Sequence, residues 1–233
     1  MKRLLLAALV SCASLWGACA LVSGTTYRCA STGDANADGL ALYNFLNGIS
    51  FPCGSTIILD AGASYNAPVL YLAYTYAFRL KQQTGCGGAK TQIISSRLGE
   101  LAAGQRVTWS DREKMPRLVA TTPSAAAGGI VIDFWGAANK WALRGTALTT
   151  TANVVASGGY GILVNYYGDV TSTTKLSDLP KNIEFDRCML YPYEEEQYGP
   201  METAQVEAAF FRGIGIAMKL EGSEYDVHDS MVK

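Results

Sequence analysis

Charge is scarce in this chain: 17% of its 233 residues are Asp, Glu, Lys or Arg, against roughly 25% in an average globular protein. A disordered polypeptide needs high net charge and few apolar residues, so the 49% apolar content excludes one. No basic excess exists to neutralise phosphates, with 19 Lys plus Arg facing 20 Asp plus Glu. Nucleic acid and anionic lipid are therefore not expected partners. There is one histidine and no Cys-x-x-Cys pair, which removes the common zinc patterns. Neither an Asn-x-Ser/Thr sequon nor a Gly-x-Ser-x-Gly elbow occurs. The glycine-rich stretch Gly85–Thr91 fails as a phosphate loop, because Ala89 separates Gly88 from Lys90. Hairpin dipeptides such as Asn-Gly are also scarce between apolar runs, which disfavours a sandwich of long antiparallel strands.

The first twenty residues read as an export leader. Met1-Lys2-Arg3 is a short basic start, Leu4 to Trp16 is an apolar core, and Ala18-Cys19-Ala20 places small residues where signal peptidase reads them. The apolar run is too short to span a bilayer. Lipoprotein cleavage before Cys12 or Cys19 is the alternative. The expected location is accordingly secreted or periplasmic. Without the leader, Cys29, Cys53, Cys86 and Cys188 remain, and an oxidising compartment permits a bridge among the first three.

Residues 38–49 place Leu42, Phe45, Leu46 and Ile49 at helical spacing, with Asp38 as an N-cap. A weaker helical pattern covers Met201–Phe211. Gly54–Gly62 then reads as a strand ending at a turn. Further strands are expected over Gln92–Ser96, Arg117–Thr121, Ile130–Phe134, Trp141–Thr149, Gly161–Asn165, Ile183–Leu190, Ile214–Leu220 and Tyr225–Val232.

Three octads recur at a fixed interval: Trp141–Leu148, Ile183–Leu190 and Tyr225–Val232. Each carries large apolar residues at places one, three and eight and a small residue at place six. A strand alternates faces with period two, so all four face inward only if the backbone slips phase between them. Bends at Arg144-Gly145, Asp186-Arg187 and His228-Asp229 would supply the slip. Stacked octads imply a solenoid whose coils take roughly 20–25 residues when corners are tight. The longer interval then means two coils, with Ile162-Leu163-Val164 as the intervening one, or one coil with a long insertion.

Two stretches carry a family resemblance. One is the helix followed by Gly54-Ser55-Thr56-Ile57-Ile58-Leu59-Asp60-Ala61-Gly62. The other is Lys181–Leu190 together with Gly215–Ser230. They resemble the cap and coil repeats of the right-handed parallel β-helix proteins of the pectate-lyase-like superfamily. The resemblance implies an all-β, three-sheet parallel β-helix with an N-terminal capping helix. It divides the chain into a leader (1–20), an N-terminal strand and cap (21–53), and coils (54–233) truncated at the C-terminus. It also implies recognition or cleavage of an extracellular polysaccharide by a lyase, with a cation such as Ca²⁺, or by a glycoside hydrolase. The candidate catalytic residues are Asp186, Arg187, Asp226 and Asp229. Tyr191, Tyr193, Glu195 and Tyr198 are the candidate sugar contacts, their aromatic faces and carboxylate suiting a sugar ring. The alternatives are a non-catalytic extracellular scaffold or adhesion module, in which these residues only shape bends and loops, and an inactive truncated fragment.

Overall fold

The computed structural model describes residues 19–68, 78–81, 83, 87–121, 131–135, 138–150, 162–167, 181–191, 216–219 and 223–232. In chain order it begins with β1 (Cys19–Ser23), β2 (Thr26–Cys29), α1 (Ala35–Gly48), β3 (Thr56–Leu59), β4 (Ser64–Asn66), β5 (Phe78–Leu80) and β6 (Thr91–Ser95). Two 3₁₀ turns follow, Leu98–Glu100 and Trp109–Lys114, then β7 (Arg117–Ala120), β8 (Ile132–Trp135), β9 (Asn139–Arg144) and β10 (Ala147–Thr150). The remaining strands are β11 (Ile162–Tyr167), β12 (Lys181–Asp186), β13 (Met189–Leu190), β14 (Ile216–Lys219), β15 (Ser223–His228) and β16 (Met231–Val232).

Three sheets result, ordered β1-β2-β3-β6-β9-β12-β15, β16-β13-β10-β7-β4 and β14-β11-β8-β5. From β3 onward successive strands join the first, second and third sheet in turn. Ladders between these strands are parallel, whereas β1 and β2 pair antiparallel. The register matches the octads. Phe185 pairs with Leu143 on one side and Val227 on the other, and Ile183 lies between Trp141 and Tyr225. Leu148 and Leu190 are likewise paired in the second sheet.

The expected fold class is corrected. The seven-stranded sheet is mixed, because a hairpin forms its edge, and the chain carries a fourteen-residue helix and two 3₁₀ turns. Parallel and mixed sheets with an N-terminal helix replace the all-β right-handed β-helix of uniform coils. The reason lies in the connections. Equivalent positions such as Thr146 and Cys188 are 42 residues apart and adjacent in space, so each interval contains, among the described residues, one strand in each of the three sheets. Ile162 belongs to the third sheet, not to an intervening coil. The stretches that carry the resemblance to pectate-lyase-like proteins therefore do not build the coil it implies, and the resemblance is withdrawn.

Two local expectations also change. Asp34, not Asp38, is the N-cap of α1, its carboxylate accepting from the Asn36 and Ala37 amides at 3.0 and 3.1 Å. Asp38 is buried inside the first turn, where it accepts from Ser31 Oγ, Thr32 N and Thr32 Oγ1. Burial alone would raise its pKa, but these bonds outweigh it and hold the carboxyl below the ordinary value. The second change concerns cysteine. Cys29 pairs with Cys19, inside the segment set aside as leader, and Cys53 is also in a disulfide. Cys188 is free and buried, its thiol pushed up to about 11 by burial, and Cys86 lies outside the described residues.

The main core lies between the sheets and under α1. Leu42, Phe45 and Leu46 bury the helix face, and Ile49 is half-buried at its C-cap. Phe45 packs against Tyr27 and Phe51, with ring centroids 5.2 and 5.3 Å away, and Phe51 reaches Trp141 at 6.1 Å. Gly39 permits this docking: a Cβ there would stand 1.7 Å from the Asn66 carbonyl oxygen of β4. Tyr65 is fully buried and uses its hydroxyl twice, donating to the Cys29 carbonyl at 2.7 Å and accepting from the Asp60 amide at 3.0 Å. Among the described residues, no helix is long and apolar enough to cross a membrane.

Candidate functional site

The bends between first-sheet and second-sheet strands are where sequence reasoning put the chemistry. Each bend turns on one residue in the left-handed region: Gly145 (φ 61°), Arg187 (φ 51°) and Asp229 (φ 51°). A single such residue shifts the strand's facing parity, which brings Met189 and Leu190 into their buried places.

The side chains at these bends are occupied by structure. Asp186 receives both arms of Arg187, Nε to Oδ1 at 2.8 Å and Nη2 to Oδ2 at 2.6 Å, and Arg187 Nη1 donates to the Leu101 carbonyl at 2.9 Å. The Asp186 contact raises the Arg187 pKa still further, which opposes its use as a proton-abstracting base. Asp229 Oδ2 accepts from the Gly104 amide at 2.8 Å, and its carbonyl accepts from the Val107 amide at 3.0 Å. Asp226 is in register with Glu184 on β12, but its side chain lies outside the described residues.

These bonds converge on one segment, residues 96–116, which sequence reasoning left as a connection. It carries both 3₁₀ turns and lies over the outer face of the second sheet. There Ala147, Met189 and Met231 stack in register and pack with Leu101, Val107, Met115 and Tyr191 in a second apolar cluster. A capping box closes the second turn, Asp111 Oδ2 accepting from the Thr108 amide at 3.0 Å. The segment acts as a strap that leaves β6 and reaches the β15 bend. Nothing periodic marks it in the sequence. Its signals are only the Thr108-x-x-Asp111 cap and the apolar residues Leu98, Leu101, Val107 and Trp109.

Tyr191, a candidate sugar contact, is fully buried beneath the strap. Its hydroxyl accepts from Arg112 Nε at 3.1 Å, and its ring meets Trp109 edge-on at 5.2 Å. It presents no open face for a sugar. Tyr193, Glu195 and Tyr198 lie outside the described residues, as does the weaker helical pattern of Met201–Phe211.

A separate charged centre lies on the outward face of the first sheet. Glu184 is 8% exposed. It accepts from Lys90 Nζ at 2.8 Å and from Arg144 through Nε at 2.8 Å and Nη2 at 2.6 Å. Burial alone would raise its pKa, but these two cations hold the carboxyl below its ordinary value. Lys90 carried no sequence signal, because its role depends on a partner 94 residues away. Beyond Arg144 in the same outward register come Ile94, Ile58 and Arg28. They help form an open cleft of about 570 Å³ that Val22 and Leu98 complete from either side. Arg28 is fixed at the rim by Asp60, at 2.7 Å.

The described residues do not fit the Ca²⁺ site implied by the family resemblance: no three acidic, histidine or cysteine side chains come together among them. The oxygens of Asp186 are spent on Arg187, and one oxygen of Asp229 on the strap. A scan against protein-family models and searches of curated proteins and of solved structures found no match to this chain.

Proposed function

We propose that the protein is an exported, non-catalytic scaffold that presents the outer face of its first sheet for binding. One observation carries this reading: the candidate catalytic residues whose contacts are described, Asp186, Arg187 and Asp229, fasten the strap across the bends. A lyase or hydrolase needs a base and an acid free to exchange protons with substrate. A carboxylate gripped by two arms of an arginine at a buried bend serves that purpose poorly, and serves a rigid framework well. The cleft over Ile58 and Ile94, with Arg28 at its rim, gives the framework a surface on which an extracellular polymer such as a polysaccharide can lie.

The test is incubation of the exported protein with neutral and uronate polysaccharides, with and without calcium, following unsaturated products by ultraviolet absorbance and new reducing ends by a colorimetric assay. The expected result is neither product, with retention on at least one immobilised polymer. Turnover abolished by Asp186→Asn without loss of folding would overturn the scaffold reading in favour of an enzyme.

A further inference from the structure

The hairpin at the edge of the first sheet limits where a leader can be removed. Cys19 stands opposite Cys29 in the β1–β2 register, followed by Ala20 opposite Arg28 and Leu21 opposite Tyr27. The two cysteines are bonded to each other and buried, 4% and 1% exposed. Cys29 is held from its other side as well, paired with Leu59 of β3 and giving its carbonyl to Tyr65. A cut after Ala20, which the small residues Ala18 and Ala20 invite, would take Cys19 and Ala20 away together. It would leave Cys29 as a buried thiol without its partner and β1 with three residues. Lipid attachment at Cys19 is no better, because the thioether would consume the sulfur that bonds Cys29.

We infer that the mature chain keeps Cys19 as the partner of Cys29, so that processing occurs on the N-terminal side of Cys19 and that sulfur carries no lipid. This rests on the export reading given above. It reassigns the cleavage point by a structural demand that the leader pattern does not contain. Removing Cys19 would open the covalent closure of the hairpin, at an edge where, among the described residues, β1 has only β2 as a neighbour in its sheet.

The full chain is to be exported from a bacterial host, its free thiols alkylated at harvest, and its peptides mapped without reduction. Expected are a start at or before Cys19, a Cys19–Cys29 linked peptide that separates only on reduction, and no alkylation of either residue. Ala20→Asp, a change at an exposed position, separates the two cleavage points: it blocks a cut after Ala20 and leaves an upstream cut unaffected. A start at Leu21, an alkylated Cys29, a diacylglyceryl group on Cys19, or loss of processing in Ala20→Asp would each overturn the inference. A chain still beginning at Met1 with the bridge intact would instead overturn the export reading and leave the bridge standing.

Discussion

Replacing Glu184 with Gln tests the charged centre on the first sheet directly. The glutamine keeps the shape and two hydrogen-bonding atoms but removes the charge that compensates Lys90 and Arg144. Breaking a fully buried ion pair from one side costs about 3–5 kcal/mol. The side chains here are 11% exposed for Glu184, 22% for Lys90 and 35% for Arg144. Solvent therefore screens part of the interaction, and about 2 kcal/mol is the discounted expectation. For a chain of this length that is a fall of about 4–8 °C in melting temperature. The pH dependence supplies the sign. Because the folded-state pKa of Glu184 lies below its ordinary value, its charge stabilises the fold above the unfolded pKa of about 4.3. That contribution disappears as pH falls through the lower folded value. Thermal unfolding of wild type and E184Q followed by circular dichroism from pH 7 down to pH 3 should show a gap that is widest near neutrality and closes in acid. A gap below about 1 °C at pH 7, or one that stays constant with pH, would refute the reasoning.

Two further outcomes follow from the strap and from Tyr65. Asp229→Ala removes the acceptor for the Gly104 amide and should loosen residues 96–116. Amide hydrogen exchange should therefore speed up at Gly104 and Val107 well before global unfolding. Unchanged protection there would show that the apolar cluster alone holds the strap. Tyr65→Phe deletes the hydroxyl that serves both the Cys29 carbonyl and the Asp60 amide, which should cost about 1–3 kcal/mol in chemical denaturation for a buried donor and acceptor left without it.

What could be read from the sequence was the part governed by short-range periodicity. The octads aligned Trp141 with Ile183 and Tyr225, and Leu143 with Phe185 and Val227, because residues that pair strand on strand must recur at fixed places, although Val227 on β15 stays 42% exposed. The face of α1 was legible for the same reason, although its start was not. Asp34 and Asp38 are both plausible caps by residue type, and only the contacts of Ser31 and Thr32 decide between them. The β1–β2 hairpin was hidden because the first two residues of β1, Cys19 and Ala20, fall within a segment that reads as a leader. The strap was hidden because its contacts reach 86 residues to Arg187 and 125 residues to Asp229, and no local pattern encodes such distances. The candidate roles of Asp186, Arg187 and Asp229 rested on residue type at a bend, and the bonds that tie these side chains together and to the strap could not be read from it. Acidic and basic residues at a bend between strands look alike whether they serve a substrate or a neighbouring backbone amide.

The bends also show how one backbone demand is met by three different residues, and this can be measured. Gly145, Arg187 and Asp229 all sit at φ between 51° and 61°, where an L-residue with a Cβ is disfavoured by roughly 1–2 kcal/mol. Glycine escapes that penalty but retains more freedom in the unfolded chain, which returns about 0.5–1 kcal/mol. At position 187 the arginine accepts the strain and offsets it through its bonds to Asp186 and Leu101. Arg187→Ala and Arg187→Gly lose those bonds equally and differ only in the backbone, so Gly should be the more stable of the two by about 0.5–1 kcal/mol. Gly145→Ala is the control in the opposite direction. Its Cβ meets the left-handed strain and also approaches Leu98 Cδ1 and Leu101 Cδ1 of the strap at 2.9 Å, so it should destabilise by more than the backbone difference at 187. Urea denaturation of the three variants decides the matter. If Arg187→Ala proves as stable as Arg187→Gly, the bend has relaxed out of the left-handed region. The parity shift that aligns Met189 with Ala147 would then need another cause.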